Sequence, residues 1–236
     1  MDYLYKLDAT SLGLTTAMLF DEMGYGNIPP DDEIVGLTNS LLAEAVGYAA
    51  PACTFKLYDG HVDATDVCLD EGSVLHTSAV ISSLLKGSER FVLFAATAGK
   101  SYQAYQNTLK AEGDILKCFI ADTIGTCIVE SAGDQMERLL EKETGGMRHT
   151  NRFSPGYCGW HLTGQKELFR LLGGSPCDIE LSDVCLMMPI KSISGVIGMG
   201  PEVTEKKYGC QYCELETCYK RKQIARKMNQ KFKQEA

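Results

Sequence analysis

Segments in which apolar residues recur every three or four positions alternate along this chain with short runs of β-branched and aromatic residues. Helical spacing is clear between residues 32 and 48, after a Pro-Pro turn. The apolar positions of this segment are Ile34, Leu37, Leu41, Leu42 and Ala45. Asp31 or Asp32 is placed to cap the predicted helix, because a carboxylate can accept a hydrogen bond from an amide of the first turn.

Three later runs are rich in Phe, Val, Thr and Tyr, which is typical of β-strands. They read CTFKLYDGHV, VCLDEG and FVLFAATAG. A short helix, HTSAVISSLLKG, is predicted between the second and the third run. The longest helical pattern follows at residues 112–142, where apolar residues form one stripe. Gly133 lies inside that pattern and predicts a break, since glycine has low helix propensity.

The last third of the chain combines both patterns. A helix is predicted from Gly164 to Leu172, capped by Thr163 and ended by Gly173 and Gly174. DIELSDVCLMM and ISGVIGMG are predicted strands joined by PIKS, and a charged helix closes the chain. Strands separated by helices without regular alternation indicate an α+β fold.

Charge excludes one class of function. The 236 residues carry 23 Lys and Arg against 31 Asp and Glu, and the net charge of −8 argues against a general nucleic-acid binder. Seven of the basic residues and one acid lie in residues 219–236, so the rest of the chain carries −14. This basic tail predicts either a solvated helix or a docking element for an acidic partner.

No apolar run reaches the ~18 residues that a membrane helix needs, and the N-terminal residues lack the pattern of a secretory signal. We therefore expect a cytoplasmic protein without a membrane partner.

The chain has ten cysteines, and in the cytoplasm a disulfide framework is not expected. Six of them have apolar neighbours and are predicted to be small core residues: Cys53, Cys68, Cys118, Cys127, Cys177 and Cys185.

The segment RFSPGYCGWHLTGQ, residues 152–165, concentrates unusual chemistry on a turn. Arg152 offers a planar fork of donors that matches a carboxylate. Pro155 and Gly156 fix the turn, and Gly156 leaves the backbone open to a ligand, while Tyr157 adds a ring and a hydroxyl. Such a set suits a small molecule with an amino-acid end. A structural turn with Arg152 in a surface ion pair is the alternative interpretation.

The pattern R-x-x-P-G-Y resembles the S-adenosylmethionine-binding motif of the reactivation domain of cobalamin-dependent methionine synthase. Residues 178–198, DIELSDVCLMMPIKSISGVIG, look like a second segment of that family, and small stand-alone relatives are the more similar members. The resemblance is clearest over residues 110–200. It implies one α+β domain over residues 1–200, with a mostly antiparallel twisted sheet, packed helices and a long central helix, followed by a Cys-rich segment and a basic helix at 201–236.

The resemblance also implies roles. Arg152 should hold the carboxylate of S-adenosylmethionine, Ser154 should contribute backbone contacts to the adenine, and Tyr157 should lie where the S-adenosylmethionine and corrin pockets meet. Pro155 and Gly156 are expected to belong to the same cofactor-binding turn. An acid on the long helix, with Glu130 as the candidate, should assist reductive activation. Four further residues are expected to line the same cleft: Lys191, Ser192, Ser194 and Gly195.

The sequence departs from a complete methionine synthase. The cobalamin-binding pattern Asp-x-His-x-x-Gly begins at Asp59 and His61 but has Ala64 in place of its glycine, so DGHVDA is interpreted as a turn that leaves a strand. The predicted role is therefore reactivation, in which S-adenosylmethionine methylates a reduced cobalamin carried by a corrinoid protein on a separate chain, with a possible electron donor protein. Whether this chain is itself an enzyme stays open, and it is not predicted to be a whole methionine synthase.

Cys210, Cys213 and Cys218 form the spacing C-x₂-C-x₄-C. Three thiolates this close can hold zinc or an iron–sulfur cluster if a fourth ligand exists, with Cys158, His149 and His161 as candidates. The alternative is three free thiols or a redox pair.

A second functional hypothesis follows, in which the fold is a non-catalytic sensor of a ligand or a metal and the cysteine cluster is its functional site. Methyl transfer to an acceptor other than cobalt ranks last, because the glycine-rich motif of Rossmann methyltransferases is missing.

Overall fold

The computed structural model describes residues 2–26, 28–203 and 205. A curled antiparallel sheet forms the centre of the fold, with strand order β4-β3-β2-β5-β8 and with β1 paired to the first half of β2. Its strands are β1 (Asp2–Lys6), β2 (Ala52–Asp63), β3 (Asp66–Leu69), β4 (Val74–His76), β5 (Arg90–Thr97) and β8 (Ser192–Met199). Two short strands form a separate hairpin, β6 (Glu180–Leu181) and β7 (Met187–Met188).

Helices cover both faces of this sheet. Within the described ranges they are α1 (Thr16–Met23), α2 (Asp32–Tyr48), α3 (Ala79–Leu85), α4 (Lys100–Glu112), α5 (Ile115–Glu143) and α6 (Gly164–Leu171), with 3₁₀ turns at Ala9–Leu12 and Pro176–Asp178. None of the helices in this part of the chain has the length and apolarity that crossing a bilayer requires. The α+β architecture, the antiparallel sheet and the long central helix confirm the predicted fold class.

Alternation along β5 decides which helix packs on which face, because successive side chains of a strand point to opposite sides. Val92 and Phe94 belong to the cluster that packs under the second half of α5 with Met136. Phe91 and Leu93 belong to the opposite cluster, beneath α3 and α6. The central strand is therefore buried on both sides, as the unbroken run FVLFAAT indicates.

The first half of α5 contributes to a third cluster, formed with α1, α2 and α4. Tyr102 is buried there and donates a hydrogen bond to the carbonyl of Ala121 at 2.6 Å. Burial raises the pKa of this phenol above its ordinary value. The two halves of α5 thus pack against different partners, which accounts for its length of 29 residues.

The predicted helix at 32–48 is confirmed as α2, and Asp31 accepts the hydrogen bond from the amide of Ile34 at 2.9 Å. The long predicted helix is confirmed as α5, but the predicted break at Gly133 is wrong, because α5 continues through it. Helix α4 was not predicted. Its polar residues hide the helical spacing, and Gly113, with a φ of 79°, ends it just before α5 begins.

Three local predictions are wrong for reasons that lie in tertiary structure. DGHVDA does not leave a strand, because β2 continues to Asp63 and pairs with β3. The predicted strand at 178–188 is instead the β6–β7 hairpin, with its turn at residues 182–186. Thr163 makes no side-chain cap on α6, since its hydroxyl lies 2.7 Å from the Nδ1 atom of His161.

Gly195 of β8 provides a test of the packing that holds the 152–157 turn. A Cβ atom at this position would overlap the backbone carbonyl of Phe153. We expect Gly195→Ala to reduce the free energy of unfolding by about 1–3 kcal/mol, the usual cost of overpacking, measured by chemical denaturation. The control is Gly47→Ala on the exposed face of α2, where nothing lies within 4 Å of the new methyl group. That change should instead stabilise by ~0.5–1 kcal/mol; equal effects of the two variants would contradict the packing argument.

Candidate functional site

The turn that begins at Arg152 is attached to the edge of β8. The amide of Phe153 donates to the carbonyl of Val196 at 2.9 Å, and the amide of Val196 donates back to the carbonyl of Phe153 at 2.8 Å. This antiparallel bridge is possible because Gly195 leaves room for the Phe153 carbonyl. The sequence-predicted segments at 152–157 and 192–199 are therefore adjacent in space, although some forty residues separate them.

Two backbone hydrogen bonds and one side-chain hydrogen bond close the turn. The amide of Gly156, at a φ of 93°, donates to the carbonyl of Trp160 at 2.8 Å, and the Trp160 amide donates to Tyr157 at 2.9 Å. Ser78, which caps α3, donates to the carbonyl of Cys158 at 2.6 Å. Trp160 is buried, whereas the Tyr157 side chain is left 62% exposed. The single tryptophan thus anchors the loop and Tyr157 is presented to solvent.

Arg152 lies across the middle of α5. Its Nη2 atom donates to Asp134 at 2.8 Å and lies 3.4 Å from Glu130, and its Nε atom lies 3.8 Å from Glu137. The guanidinium packs directly over Gly133, where any Cβ would overlap the Nη1 atom. The side chain is 20% exposed. Arg152 therefore makes the ion pairs that the alternative interpretation predicted, although most of its own side chain is enclosed by α5.

The acids around Arg152 lie at spacings of four and seven residues, so one face of α5 presents them in a row. Glu130 was predicted from the sequence, whereas Asp134 and Glu137 were not. The signal was present in the sequence as E-x₃-D-x₂-E on the long helix. The spacing alone does not show that Arg152 lies beside these acids, and only the structure does.

Glu137 is the most enclosed of these acids. Burial raises the pKa of its carboxyl above the ordinary value, and the positive charge of Arg152 partly opposes that shift. The neighbouring carboxylates of Asp134 and Glu205 raise the pKa further. Glu137 therefore holds its negative charge at a cost in free energy, which a cationic ligand would reduce.

A cleft of about 440 Å³ opens beside the guanidinium. Its lining combines an apolar floor with charged walls: Ile81, Phe94, Glu130, Glu137, Asn151, Arg152, Phe153, Ser154, Tyr157, Ile193 and Glu205. With one cation and three carboxylates, the wall carries excess negative charge. Such a cleft fits a ligand that has a carboxylate for Arg152 and positive charge elsewhere.

The structure brings together Glu130, Arg152, Ser154 and Tyr157 but leaves other predicted residues away from the cleft lining. The Nζ atom of Lys191 lies 2.9 Å from Asp122, which is about 18 Å along α5 from Asp134. Ser192 is buried, and its hydroxyl donates to the carbonyl of Pro189 at 2.8 Å. Lys191 and Ser192 thus have structural contacts of their own.

Ser194 is buried and lies on the face of β8 opposite to Ile193, a residue of the cleft, because side chains alternate along a strand. Gly195 acts on the cleft indirectly, through the space that it leaves for Phe153. Pro155 is buried within the turn, and Gly156 gives it the left-handed conformation that it needs.

The predicted metal ligands Cys210, Cys213 and Cys218 lie outside the described residues, as do the basic tail and its predicted helix. Among residues 2–26, 28–203 and 205, no group of three His, Cys, Asp or Glu side chains is arranged to hold a metal ion. Of the six cysteines predicted to be core residues, Cys53, Cys127 and Cys185 are buried, while Cys68, Cys118 and Cys177 are half-buried. Burial raises the pKa of the Cys53 thiol to about 12.

Comparison with known proteins identifies two similarities. Residues 78–223 match the sequence model of the family described as vitamin B12 dependent methionine synthase, activation domain. The fold is similar to that in the crystal structure of the MetH reactivation domain bound to AdoHcy, with a TM-score of 0.63 and 15% identity over 89% of this chain and 80% of that chain. At that identity the second similarity shows the fold alone. No curated protein matches the sequence.

Glu137→Gln tests the electrostatics of the cleft. Because the pKa of Glu137 is raised in the folded state, wild-type stability falls as pH rises from the ordinary carboxyl value of 4.5 through the folded value. Glutamine stays neutral, so the variant should be more stable than wild type at pH 7, and the difference should vanish below pH 4.5. Denaturation series across this pH range measure the effect.

The control for that test is Glu71→Gln, which removes one carboxylate from an exposed turn. If the stability difference between Glu137→Gln and the wild type stays constant with pH, the ionic explanation is contradicted and a change in packing is indicated instead.

Proposed function

Because the chain belongs to the family of vitamin B12-dependent methionine synthase activation domains, we propose that it binds S-adenosylmethionine in the Arg152 cleft. We further infer that it uses this ligand to return an oxidised corrinoid, carried by a separate protein, to its methylated state. The observation that carries the proposal is the position of Arg152, which lies on an R-x-x-P-G-Y turn and borders a cleft that α5 lines with acids.

Charge in the cleft supports this choice of ligand. S-adenosylmethionine carries a carboxylate, an ammonium group and a sulfonium. The fork of Arg152 matches the carboxylate, and Glu130 and Glu137 border the same cleft as partners for the two cations. A neutral nucleoside or a simple anion would leave one of these charged groups without a counterpart.

The shape of the turn supports the same assignment. Ser154 lies at the cleft, and Gly156 adds no side chain of its own to the adjacent backbone, so an adenine edge can approach the peptide groups. Tyr157 lines the cleft and is also largely exposed. It therefore stands between the proposed ligand and the outside, where a corrinoid protein would approach.

Reactivation is a reduction followed by a methyl transfer. One electron converts cob(II)alamin to cob(I)alamin, whose electron pair attacks the methyl carbon, and the carbon–sulfur bond breaks with its electrons on sulfur, which releases S-adenosylhomocysteine. The reduction is uphill, and the exergonic transfer draws it forward. The contribution of this chain is to hold the methyl group in line with the metal, through Arg152 at one end of the ligand and the turn at the other.

We assign the corrinoid and the electron to partners. The incomplete Asp-x-His-x-x-Gly pattern at Asp59 lies within strand β2, where His61 is paired with Cys68 of β3. This placement gives no support to a cobalt ligand on the chain itself. A corrinoid-binding protein is therefore the proposed acceptor, and an electron donor protein is proposed beside it.

Calorimetric titration with S-adenosylmethionine tests the site. We expect saturable binding by the wild type and a loss of ~2–4 kcal/mol in Arg152→Ala, because the enclosed fork would no longer meet the ligand carboxylate. Arg152→Lys should recover only part of this loss, since an ammonium group cannot form the bidentate pair. Equal affinity of wild type and Arg152→Ala would contradict the role of Arg152.

The matched control is Arg90→Ala, which removes a partly exposed arginine that pairs with Asp59 at 3.0 Å on β5. This variant should bind S-adenosylmethionine as the wild type does. Thermal unfolding of each variant separates loss of the site from loss of the fold.

Substitutions of Tyr157 test the proposed methyl transfer to a corrinoid. With cobalamin reduced chemically to the cob(I) state, methylcobalamin formation from S-adenosylmethionine can be followed by absorbance. We expect Tyr157→Ala to slow this transfer while calorimetric affinity for S-adenosylmethionine changes little, because the ring faces the acceptor. Tyr157→Phe distinguishes the ring from the hydroxyl. A Tyr157→Ala protein that transfers the methyl group at the wild-type rate would refute this assignment.

A further inference from the structure

We propose that the groove between strand β4 and helix α6 binds an extended peptide segment of a partner protein, which joins the central sheet as a further strand. The strand order places β4 at one edge of that sheet. The groove shares no lining residue with the Arg152 cleft. The inference therefore goes beyond the proposed function and does not depend on it.

The outer edge of β4 presents main-chain groups that are free to pair. Just beyond β4, the amide of Thr77 donates to the carbonyl of Thr65 at 3.1 Å, so these two residues form a hydrogen-bonded pair with the β3 side of the hairpin. Such pairs recur at every second residue of antiparallel strands, so Leu75 also bonds to β3. The N–H and C=O groups of Val74 and His76 consequently point away from β3, and no residue of the described ranges hydrogen-bonds to them.

A groove of about 560 Å³ runs along this edge. Residues 72–76 line one side of it, and Gly164, Glu167 and Arg170 of α6 line the other side. The Nη2 atom of Arg170 donates to the hydroxyl of Ser73 at 2.8 Å, which holds the helix close to the strand at that point. A peptide in the groove would lie beside β4 with a helix facing it, and this is a recurring geometry for peptides that add to a sheet edge.

Trp160 contributes an unused hydrogen-bond donor to the same groove. Its side chain lines the groove and is 1% exposed, and its Nε1 atom has no hydrogen-bond partner in the part of the chain that the structure describes. A buried N–H without an acceptor is unfavourable. Gly164 lies next to this atom, where a Cβ would overlap it. The groove therefore favours a ligand that supplies an oxygen atom to Trp160.

The two edges of the sheet differ in how they are covered. The edge at β8 is bridged by His149 and by Phe153. Exposed edges are usually protected by lysine, proline or other charged residues, because an unprotected edge can pair with another chain. Residues 72–76 read GSVLH and contain none of Asp, Glu, Lys, Arg or Pro. The open edge thus lies where the groove is found.

The main-chain groups identify the class of ligand. Val74 and His76 present both donors and acceptors, at the spacing of about 6.8 Å that separates alternate residues of a strand. Another extended main chain matches this alternation, whereas a simple anion or cation would use groups of one kind only. Arg170 and Glu167 pair with each other at 2.6 Å, so the acid and the guanidinium that line the groove already neutralise one another. A side-chain amide of Asn or Gln would therefore satisfy Trp160 without burying a further charge.

The probe for the test is a random dodecapeptide library displayed on phage and selected against the full chain. We expect strand-forming peptides that contain Asn or Gln and bind saturably in fluorescence polarisation. His76→Pro should weaken their binding by about 10-fold, because proline removes an outward N–H that the peptide would use. This N–H is not part of the ladder with β3, so the fold should be retained, as thermal unfolding can verify. His76→Ala is the matched control and should bind nearly as the wild type does, since it keeps the N–H.

Hydrogen exchange measured by NMR tests the edge without any substitution. In the isolated chain, the amides of Val74 and His76 should exchange faster than that of Leu75, and a selected peptide should slow both of them. The inference is overturned if these two amides are already protected in the isolated chain, which would show that another part of the chain occupies the edge. Protection that increases with protein concentration would assign the edge to a second copy and equally overturn it.

Failure to select any binding peptide, or peptides whose affinity is the same for His76→Pro and the wild type, would also overturn the inference. None of these outcomes bears on the binding of S-adenosylmethionine, which calorimetry measures separately.

Discussion

The close approach of the 152–157 turn to helix α5 and strand β8 is the constraint on which the candidate site depends. Two glycines permit it. Gly133 lets the guanidinium of Arg152 lie directly on the helix, and Gly195 lets the carbonyl of Phe153 enter the edge of β8. At Gly133, glycine lowers the helix propensity of α5. At Gly195, it leaves less side-chain surface for packing. Both costs are offset by the contacts that bring an arginine, a row of acids and an open turn to one cleft.

The charges of Arg152 and the neighbouring acids set the electrostatic character of the cleft. A single enclosed arginine beside Glu130, Asp134 and Glu137 leaves the cleft with more negative than positive charge, and burial makes the charge on Glu137 unfavourable. A ligand with one carboxylate and two cationic groups satisfies both signs at once. Arg152 pairs with the acids of the helix face, and in the proposed function it also binds the carboxylate of the ligand. We therefore expect its loss to affect stability as well as affinity, so the two are measured together.

The segment between α5 and the turn is attached to β8 at two points. His149 bridges to Met199, and Phe153 bridges to Val196. Arg152 lies between these two bridges in the chain, so the edge of the central sheet helps to fix the position from which its side chain reaches α5.

The sequence by itself determined the α+β class, helices α2 and α5, the central strands and the turn at Arg152, because each rests on local spacing or on a short motif. It did not identify α4 or the β6–β7 hairpin, whose polar or mixed patterns are decided by packing. Only the tertiary structure decided that Asp134 and Glu137 surround Arg152, that Lys191 instead pairs with Asp122, and that Ser194 faces away from the cleft. These facts depend on which face of a helix or strand meets a loop far away in the chain. A local pattern cannot carry that information, because side-chain partners across a fold are set by the packing of whole elements.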